Sequence, residues 1–227
     1  MRRAALALPV LFLALSLDRV LPEAPSAPLE VRPAASVEKA VAGLPVMNSG
    51  RFGRPGNPLN VVFVGTEKSL RAALTGAGWV EVPSTIRASV WEGLKELVSG
   101  KPLTAAPPMN EYWLAGRRQD MNWAVAVKPL SARHHFRVWD TGLRDPRGRA
   151  VWWGAGDYDL SIRWHDLSHV RDPDLDSERD WIAGSLKDSP LLEKASLVAM
   201  KDLPRAGAND KGYAFRTDGR VALIELR

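Results

Sequence analysis

Residues 59–65 read LNVVFVG, an apolar run rich in β-branched side chains that ends at a glycine. A continuous apolar run, without polar alternation, predicts a strand buried on both of its faces. Thr66 follows as a good N-cap, and the apolar residues after it have helical spacing, which predicts a helix over Glu67 to Thr75. We therefore expect this strand and helix to be the first firmly defined elements of the folded domain.

The rest of the chain predicts several more strands than helices. A helix is expected from Ser84 or Thr85 to Gly100, and another from about Asp174 to Lys187. The β-like runs of the second half lie at 122–127, 133–141, 151–158, 213–216 and 221–224. Asp218-Gly219, between the last two runs, predicts a β-hairpin. The predicted fold is a single mixed α/β (α+β) domain with a mixed or antiparallel sheet, a strand-rich second half and a few packed helices.

Composition limits the classes of function. The 227 residues are 45% hydrophobic and carry a formal net charge of +5, so a packed core is expected rather than disorder. The absence of cysteine excludes thiolate zinc sites, disulfides and cysteine nucleophiles. A basic balance suits an anionic partner, but no nucleic-acid-binding motif accompanies it, so we do not expect DNA or RNA.

The N-terminus resembles an export signal. Arg2 and Arg3 precede an apolar run, Ala4 to Leu17, that is shorter than the ~20 residues a spanning helix needs. Residues 1–26 are therefore predicted to be a signal peptide or an uncleaved N-terminal anchor, which directs the protein to the periplasm or cell envelope. Residues 27–55 are rich in proline, alanine and glycine and predict a linker or extended arm, with a short helix around Val37 to Ala42; the domain is expected over 56–227.

Arginines are concentrated in one short part of the chain, at positions 133, 137, 144, 147 and 149. We interpret this concentration as a basic patch that binds phosphate, another anionic ligand or an anionic membrane surface. Arg133, Arg137 and Arg144 are the predicted binding residues.

Strand alternation separates the residues of the run RHHFRVW, 133–139. Arg133, His135 and Arg137 share one face of the strand, and His134 lies on the opposite face with the apolar side chains. His134 is therefore predicted to be structural, and His135 to be functional. The flanking arginines disfavour a charged His135, so we expect a neutral imidazole.

The segment HDLSHVRDPDLDSERDW, 165–181, concentrates histidines and carboxylates. His165 and His169 share a helix face and a metal if the segment is helical, but lie ~13 Å apart if it is a strand. On the first reading the metal ligands are His165, His169 and Asp172. Candidate catalytic groups are then His135, His169, Asp172 and Asp174, with a divalent metal as the cofactor.

The same acids have a structural explanation. Asp172 is suited to cap a helix whose first residue is Pro173, with the following acids near the positive helix end. Motifs of known metal and nucleophile chemistry are missing: there is no H-E-x-x-H, and a calcium loop starting at Asp172 would have Ser177 and Ala183 at its glycine and glutamate positions. No G-x-S-x-G or phosphate-binding glycine loop occurs either.

Several segments in order resemble the LssY C-terminal domain family. They are GNPLNVVFVGT (56–66), GWVEV (78–82), GRRQDMNWA (116–124), RHHFRVWDT (133–141), VWWGAGDYD (151–159), HVRDPDLDSERD (169–180) and TDGRVALI (217–224). The resemblance covers roughly Gly56 to Arg227 and implies a bacterial cell-envelope domain without a defined reaction. Larger relatives carry membrane-embedded segments before this domain, which implies lipid or phosphate-containing ligands. This chain departs from the family pattern where Val170 and Arg171 follow His169.

Two functions remain open from the sequence. The first is an envelope domain that binds an anionic ligand, an anionic lipid or a membrane-protein partner through its arginines. The second is a metal-dependent hydrolase acting on phosphate-containing or lipid-related substrates. A purely structural envelope subunit is also compatible with these residues, and the sequence indicates neither an enzyme class nor an oligomeric state.

Overall fold

The computed structural model describes residues 29–82, 109–128, 132–163 and 168–227. Its three helices within these ranges are α1 (Val37–Ala42), α2 (Glu67–Gly76) and α3 (Leu175–Ser185). Its first eight strands are β1 (Arg32–Pro33), β2 (Met47–Ser49), β3 (Pro55–Pro58), β4 (Val61–Gly65), β5 (Val80–Glu81), β6 (Trp113–Leu114), β7 (Arg117–Arg118) and β8 (Met121–Lys128). The others are β9 (Ala132–Arg144), β10 (Ala150–Arg163), β11 (Ser168–Arg171), β12 (Leu192–Ala199), β13 (Ala206–Ala208), β14 (Ala214–Arg216) and β15 (Arg220–Leu226).

One large mixed sheet organises the molecule. Its strand order is β12-β15-β4-β10-β9-β8-β5, with β1 beside β9 and β11 beside β10. The pairs β15–β4 and β1–β9 are parallel and the remaining pairs are antiparallel. This confirms the predicted α+β class and its strand-rich second half.

The predicted first strand lies in the middle of the sheet. All five residues of β4 are buried, because β4 pairs with β15 on one side and β10 on the other and both of its faces are covered. Thr66 caps α2 by accepting a hydrogen bond from the backbone N–H of Ser69 at 3.0 Å, as the sequence predicts.

Each face of the sheet has its own core. Helices α2 and α3 cover one face, where Phe63, Phe136 and Trp152 are buried. Helix α1, strand β6 and residues near Met200 cover the other, where Trp139 and Trp153 are buried. The tryptophans at 123, 139, 152 and 153 are all in the interior.

The stretch for which composition predicts a linker is part of the folded body from residue 29 onward. Helix α1 forms where it is predicted, and Val41 is fully buried against the sheet. Strands β2 and β3 join β6 and β7 in a second, four-stranded sheet. The prolines and glycines of this stretch bracket short elements that bury apolar side chains, among them Val41 and Leu44.

The predicted hairpin around Asp218-Gly219 is wrong. Strand β14 pairs with β13 in a separate two-stranded sheet, and β15 pairs with β12 and β4. Asp218 instead accepts hydrogen bonds from Arg179 and Arg220 side chains at 2.8 Å. The turn signal was real, since Gly219 has a φ of 74°, but β12 offers β15 a longer partner than β14 does.

The helix predicted from Ser84 or Thr85 to Gly100 and the segment 1–28 lie outside the described residues. Within the described ranges, no helix is both long and apolar enough to cross a membrane.

Candidate functional site

Two neighbouring strands place charged side chains in the interior. On the face of the sheet that carries Trp139 and Trp153, β9 continues with Arg137, His135 and Arg133 at alternate positions. Strand β10 continues with Asp157 and Asp159, which lie in register with His135 and Arg133 respectively. Arg171 of β11 is in register with Asp159 from the other side. We call these six residues (Arg133, His135, Arg137, Asp157, Asp159 and Arg171) the buried charge cluster.

Asp159 is the centre of the ion pairs. One of its carboxylate oxygens lies 3.0 Å from Arg133 Nε and 3.6 Å from His135 Nδ1, and the other lies 3.7 Å from Arg171 Nε. Asp157 binds Arg171 Nη1 at 3.1 Å and also accepts a hydrogen bond from the Asn57 side chain at 2.8 Å. Both carboxylates are 5% exposed or less, so each depends on these partners in place of water.

Arg137 differs from the other two arginines of the cluster. It is 1% exposed, and no carboxylate of the described residues is within ion-pair distance of it. Its Nε donates to the backbone oxygen of Asn110 at 2.9 Å, and its guanidinium lies 4.8 Å from the centroid of the Tyr112 ring. Burial, and then the positive charge of Arg171, lower the pKa of Arg137 to about 10. Arg137 is therefore a cation held in the interior largely by polarisable and dipolar groups.

The histidine of the cluster is neutral, as predicted. Burial lowers the pKa of His135 well below its ordinary value, and the three neighbouring arginines lower it further, although Asp159 opposes them. For Arg171, burial disfavours the charge, but Asp157 and Asp159 outweigh it and raise the pKa. The six residues of the cluster therefore contain three guanidinium cations and two carboxylates.

Two buried hydrogen-bond donors near the cluster have no acceptor among the described residues, Asn48 Nδ2 and Arg137 Nη1. Arg171 Nε makes no hydrogen bond either, but it faces the Asp159 carboxylate at 3.7 Å. Asn48 belongs to the same place, because its Oδ1 accepts from the backbone N–H of Asn57, whose side chain binds Asp157. Buried donors are rarely left without an acceptor, so this concentration indicates a place for acceptor oxygens. A small cleft opens beside it, lined by Asn57, Asp157, Arg171, Asp172, Asn209 and Tyr213.

The predicted arginine patch does not exist as one surface. Arg144 lies seven residues beyond Arg137 on β9, roughly 23 Å away at about 3.3 Å per residue. It makes two 2.8 Å hydrogen bonds to Asp140. Arg147 binds Glu193, and Arg149 binds Asp145 and Glu193. These arginines are engaged in local ion pairs, so of the three predicted binding residues only Arg133 and Arg137 lie together.

The predicted acidic site is divided between a helix cap and the cleft. The N-cap of α3 is Asp174, not Asp172, and its carboxylate accepts from the backbone N–H groups of Asp176 and Ser177 and binds Arg216. Asp172 precedes the cap, accepts from the backbone N–H of Asp174 at 2.9 Å and lines the cleft. The cap is shifted by two residues because Asp172 forms a turn across Pro173 before the helix begins.

Most of the predicted metal ligands have side chains that lie outside the described part of the chain. His165 is not among the described residues, and His169 lies in strand β11 with its side chain outside the description. Among the described side chains, no group of three or more histidines and carboxylates is placed to hold a metal ion. The His165, His169 and Asp172 site remains a prediction.

On the opposite face of β9, His134 connects the sheet to helix α3. Its Nδ1 lies 2.6 Å from a carboxylate oxygen of Glu178, and its ring stacks between Tyr158 and Trp181. Burial raises the pKa of Glu178, although the bond to His134 opposes this. The pair joins α3 to the sheet where Gly156 lets the helix approach closely, since a Cβ there would lie 2.6 Å from Ile182 Cδ1.

Three members of the cluster, Asp157, Asp159 and Arg171, were not predicted from the sequence, and neither was the neighbouring Tyr112. Their signal was present in part. The pattern G-D-Y-D at 156–159 places two carboxylates two residues apart, the same spacing as the basic residues of R-H-H-F-R at 133–137. Opposite charges at this spacing on adjacent strands fit a cross-strand match.

Comparison with known proteins gives one match. The profile of the family described as LssY C-terminus matches residues 41–221. No curated protein and no solved structure matches the chain significantly.

Proposed function

The chain belongs to the LssY C-terminus family, and on that premise we propose that its domain binds an oxyanion, such as a phosphate group, in the buried charge cluster. The observation that carries the proposal is Arg137, a fully buried guanidinium without a carboxylate partner and with Nη1 lacking any acceptor in the described chain. A buried charge is costly unless it is paired, and sites that keep such a charge are candidates for function.

The chemistry of the cluster suits an acceptor-only ligand. A phosphate or carboxylate group accepts several hydrogen bonds and donates few or none, and guanidinium groups bind such oxygens strongly. Asn48 Nδ2 and Arg137 Nη1 supply the hydrogen bonds, and the three guanidinium groups of the cluster supply the positive charge. Two further carboxylates lie close to the cluster. That of Asp172 accepts a hydrogen bond from the backbone N–H of Asp174, and that of Asp210 accepts one from the Tyr112 hydroxyl. Both oxygens are therefore held by neutral donors outside the six residues of the cluster.

Binding is tested by calorimetric titration of the purified protein with inorganic phosphate, and by sedimentation with vesicles of phosphatidic acid and of phosphatidylcholine. Phosphate binding indicates a free anion or a soluble ester. Binding only to the phosphatidic acid vesicles indicates a lipid headgroup. We expect Arg137→Met to weaken the binding at least about tenfold, the effect of losing one charged hydrogen-bonding group.

Arg144→Met is the matched control for this experiment. It removes an arginine that was predicted from the sequence to bind the ligand but that pairs with Asp140, so binding should change by less than about twofold. Equal loss of binding in both variants would indicate a diffuse basic surface and would contradict the proposal.

We further propose that the protein acts in the cell envelope. The support is the signal-like sequence of residues 1–26 and the premise of the family. Fractionation of cells that produce the full chain tests this location. Recovery in the periplasmic or membrane fraction supports it, and recovery in the cytosolic fraction contradicts it.

A further inference from the structure

A two-stranded hairpin lies over the buried charge cluster. Strands β13 and β14 pair with each other, and five of their six residues are exposed. At the base of the hairpin, Arg216 forms a single bridge with Asp174 and donates its backbone N–H to the oxygen of Pro173 at 2.8 Å. The turn between them, residues 209–213, is closed by a hydrogen bond from the N–H of Asn209 to the oxygen of Tyr213 at 3.0 Å. The hairpin is thus a projection from the main body with a backbone structure of its own.

The tip of the hairpin is attached to the cluster by side chains. Asn209 donates to the Asn57 side chain at 2.9 Å, and the Tyr112 hydroxyl donates to Asp210 at 2.8 Å. The guanidinium of Arg171 lies 4.6 Å from the centroid of the Tyr213 ring. Each of these contacts involves a residue of the cluster or a residue bound directly to it. A ligand that enters the cluster therefore comes close to the tip of the hairpin.

Lys211 lies at this tip. It is exposed, yet partial burial and then the positive charges of Arg171 and Arg137 lower the pKa of its ammonium group. The carboxylates of Asp210 and Asp157 oppose this shift, so charges of both signs act on the ammonium group. The backbone fixes the position of Lys211 at the tip, because the N–H groups of Lys211 and Tyr213 both donate to the Asn209 side chain, at 3.0 and 3.1 Å. An anion bound beneath the tip adds a further favourable charge for the ammonium group.

Access to the cluster requires movement, because Arg137 is 1% and His135 1% exposed. Few apolar side chains anchor the hairpin, since Phe215 is the one buried apolar side chain among residues 206–216. Elements with few buried apolar contacts open at the smallest free-energy cost.

We propose that the hairpin of residues 206–216 is a cover that opens to admit the oxyanion and, on closing, brings Lys211 to it. This inference rests on the proposed function and adds two things to it: a route of entry and a third cationic group. The ligand is then enclosed between the arginines of the sheet and the lysine of the cover.

A disulfide lock tests the cover. An ideal Cβ at Gly50 would lie 3.1 Å from the Cβ of Asp210, close to the roughly 3.5–4.5 Å of a disulfide, and the φ of Gly50, −74°, is one that cysteine adopts. The chain has no cysteine of its own, so Gly50→Cys combined with Asp210→Cys gives a single defined bridge. We expect the oxidised double variant to bind inorganic phosphate at least about tenfold more slowly than the same protein after reduction.

The controls distinguish a failure of the proposed cover from a failure of phosphate binding itself. Asp210→Cys alone, which lacks the bridge and the Tyr112 contact, should bind at the rate of the reduced double variant under both conditions. Equal rates for the oxidised and reduced double variants would overturn the cover while leaving the proposed function intact. No phosphate binding by the wild-type protein would overturn the proposed function and the cover with it.

The role of Lys211 has its own measurement. Lys211→Met should weaken phosphate binding about two- to fivefold, the effect of one partly screened charge, and Lys211→Arg should restore it. Unchanged affinity in Lys211→Met would remove the lysine from the site.

Discussion

Replacing Asp159 by asparagine will lower the free energy of unfolding by about 3–5 kcal/mol, the cost of removing one partner from a buried ion pair. Asp159 is 1% exposed and lies between Arg133 and Arg171. Without its charge, three guanidinium cations of the cluster share the single carboxylate of Asp157. The asparagine amide would also direct N–H donors at groups that are themselves donors.

Equilibrium unfolding in urea at neutral pH measures this loss. Asp180→Asn is the control, because Asp180 makes the same kind of contact with Arg179 but its side chain is 62% exposed. We expect less than about 1 kcal/mol for the control. A loss of similar size in both variants would show that the cluster does not depend on its buried carboxylate.

The elements that could be predicted from the sequence are those whose signal is local. Strand β4 is a continuous apolar run, and α2 has a capping threonine followed by helical spacing, so neither needs knowledge of its partners. The alternation of β9 was predicted for the same reason, because a strand places every second residue on one face whatever covers it. This alone separated His135 and Arg137 from His134.

What could not be predicted depends on which segments meet. The clustering of arginines in the sequence indicated one patch, but β9 is long, and Arg137 and Arg144 lie toward different ends of it. Asp157 and Asp159 became part of the site through the register of β10 with β9, and Arg171 through the pairing of β11 with β10. Strand register is set by the whole sheet, so inspection of any one segment does not reveal these neighbours.

We expect a second substitution in the cluster to stabilise the protein, whereas Asp159→Asn destabilises it. Replacing Arg137 by methionine will raise the free energy of unfolding of the ligand-free protein by about 1–4 kcal/mol, the range seen when a buried ion pair or triad is replaced by apolar residues of similar volume. Methionine fills much of the space beside Tyr112 and removes a buried charge that has no ion pair with a carboxylate of the described residues. The cluster then contains two arginines and two aspartates.

Phosphate should affect the stability of the wild type and of Arg137→Met differently. A ligand that binds only the folded state stabilises it increasingly as its concentration rises above the Kd, so phosphate should raise the stability of the wild type more than that of Arg137→Met. A destabilised Arg137→Met protein would show instead that the Asn110 and Tyr112 contacts outweigh the buried charge. In that case Arg137 would be a structural residue.

A variant that combines Asp159→Asn with Arg137→Met tests whether the two substitutions act through the net charge of the cluster. If the cost of Asp159→Asn comes from excess positive charge, then removing Arg137 as well should return part of it, and the double variant should be more stable than Asp159→Asn alone. Residues in one electrostatic network couple by about 0.5–3 kcal/mol, which urea unfolding of the four proteins can resolve. Strict additivity would mean that Asp159 acts only through its local bonds to Arg133 and Arg171, and that the unpaired charge of Arg137 is balanced elsewhere.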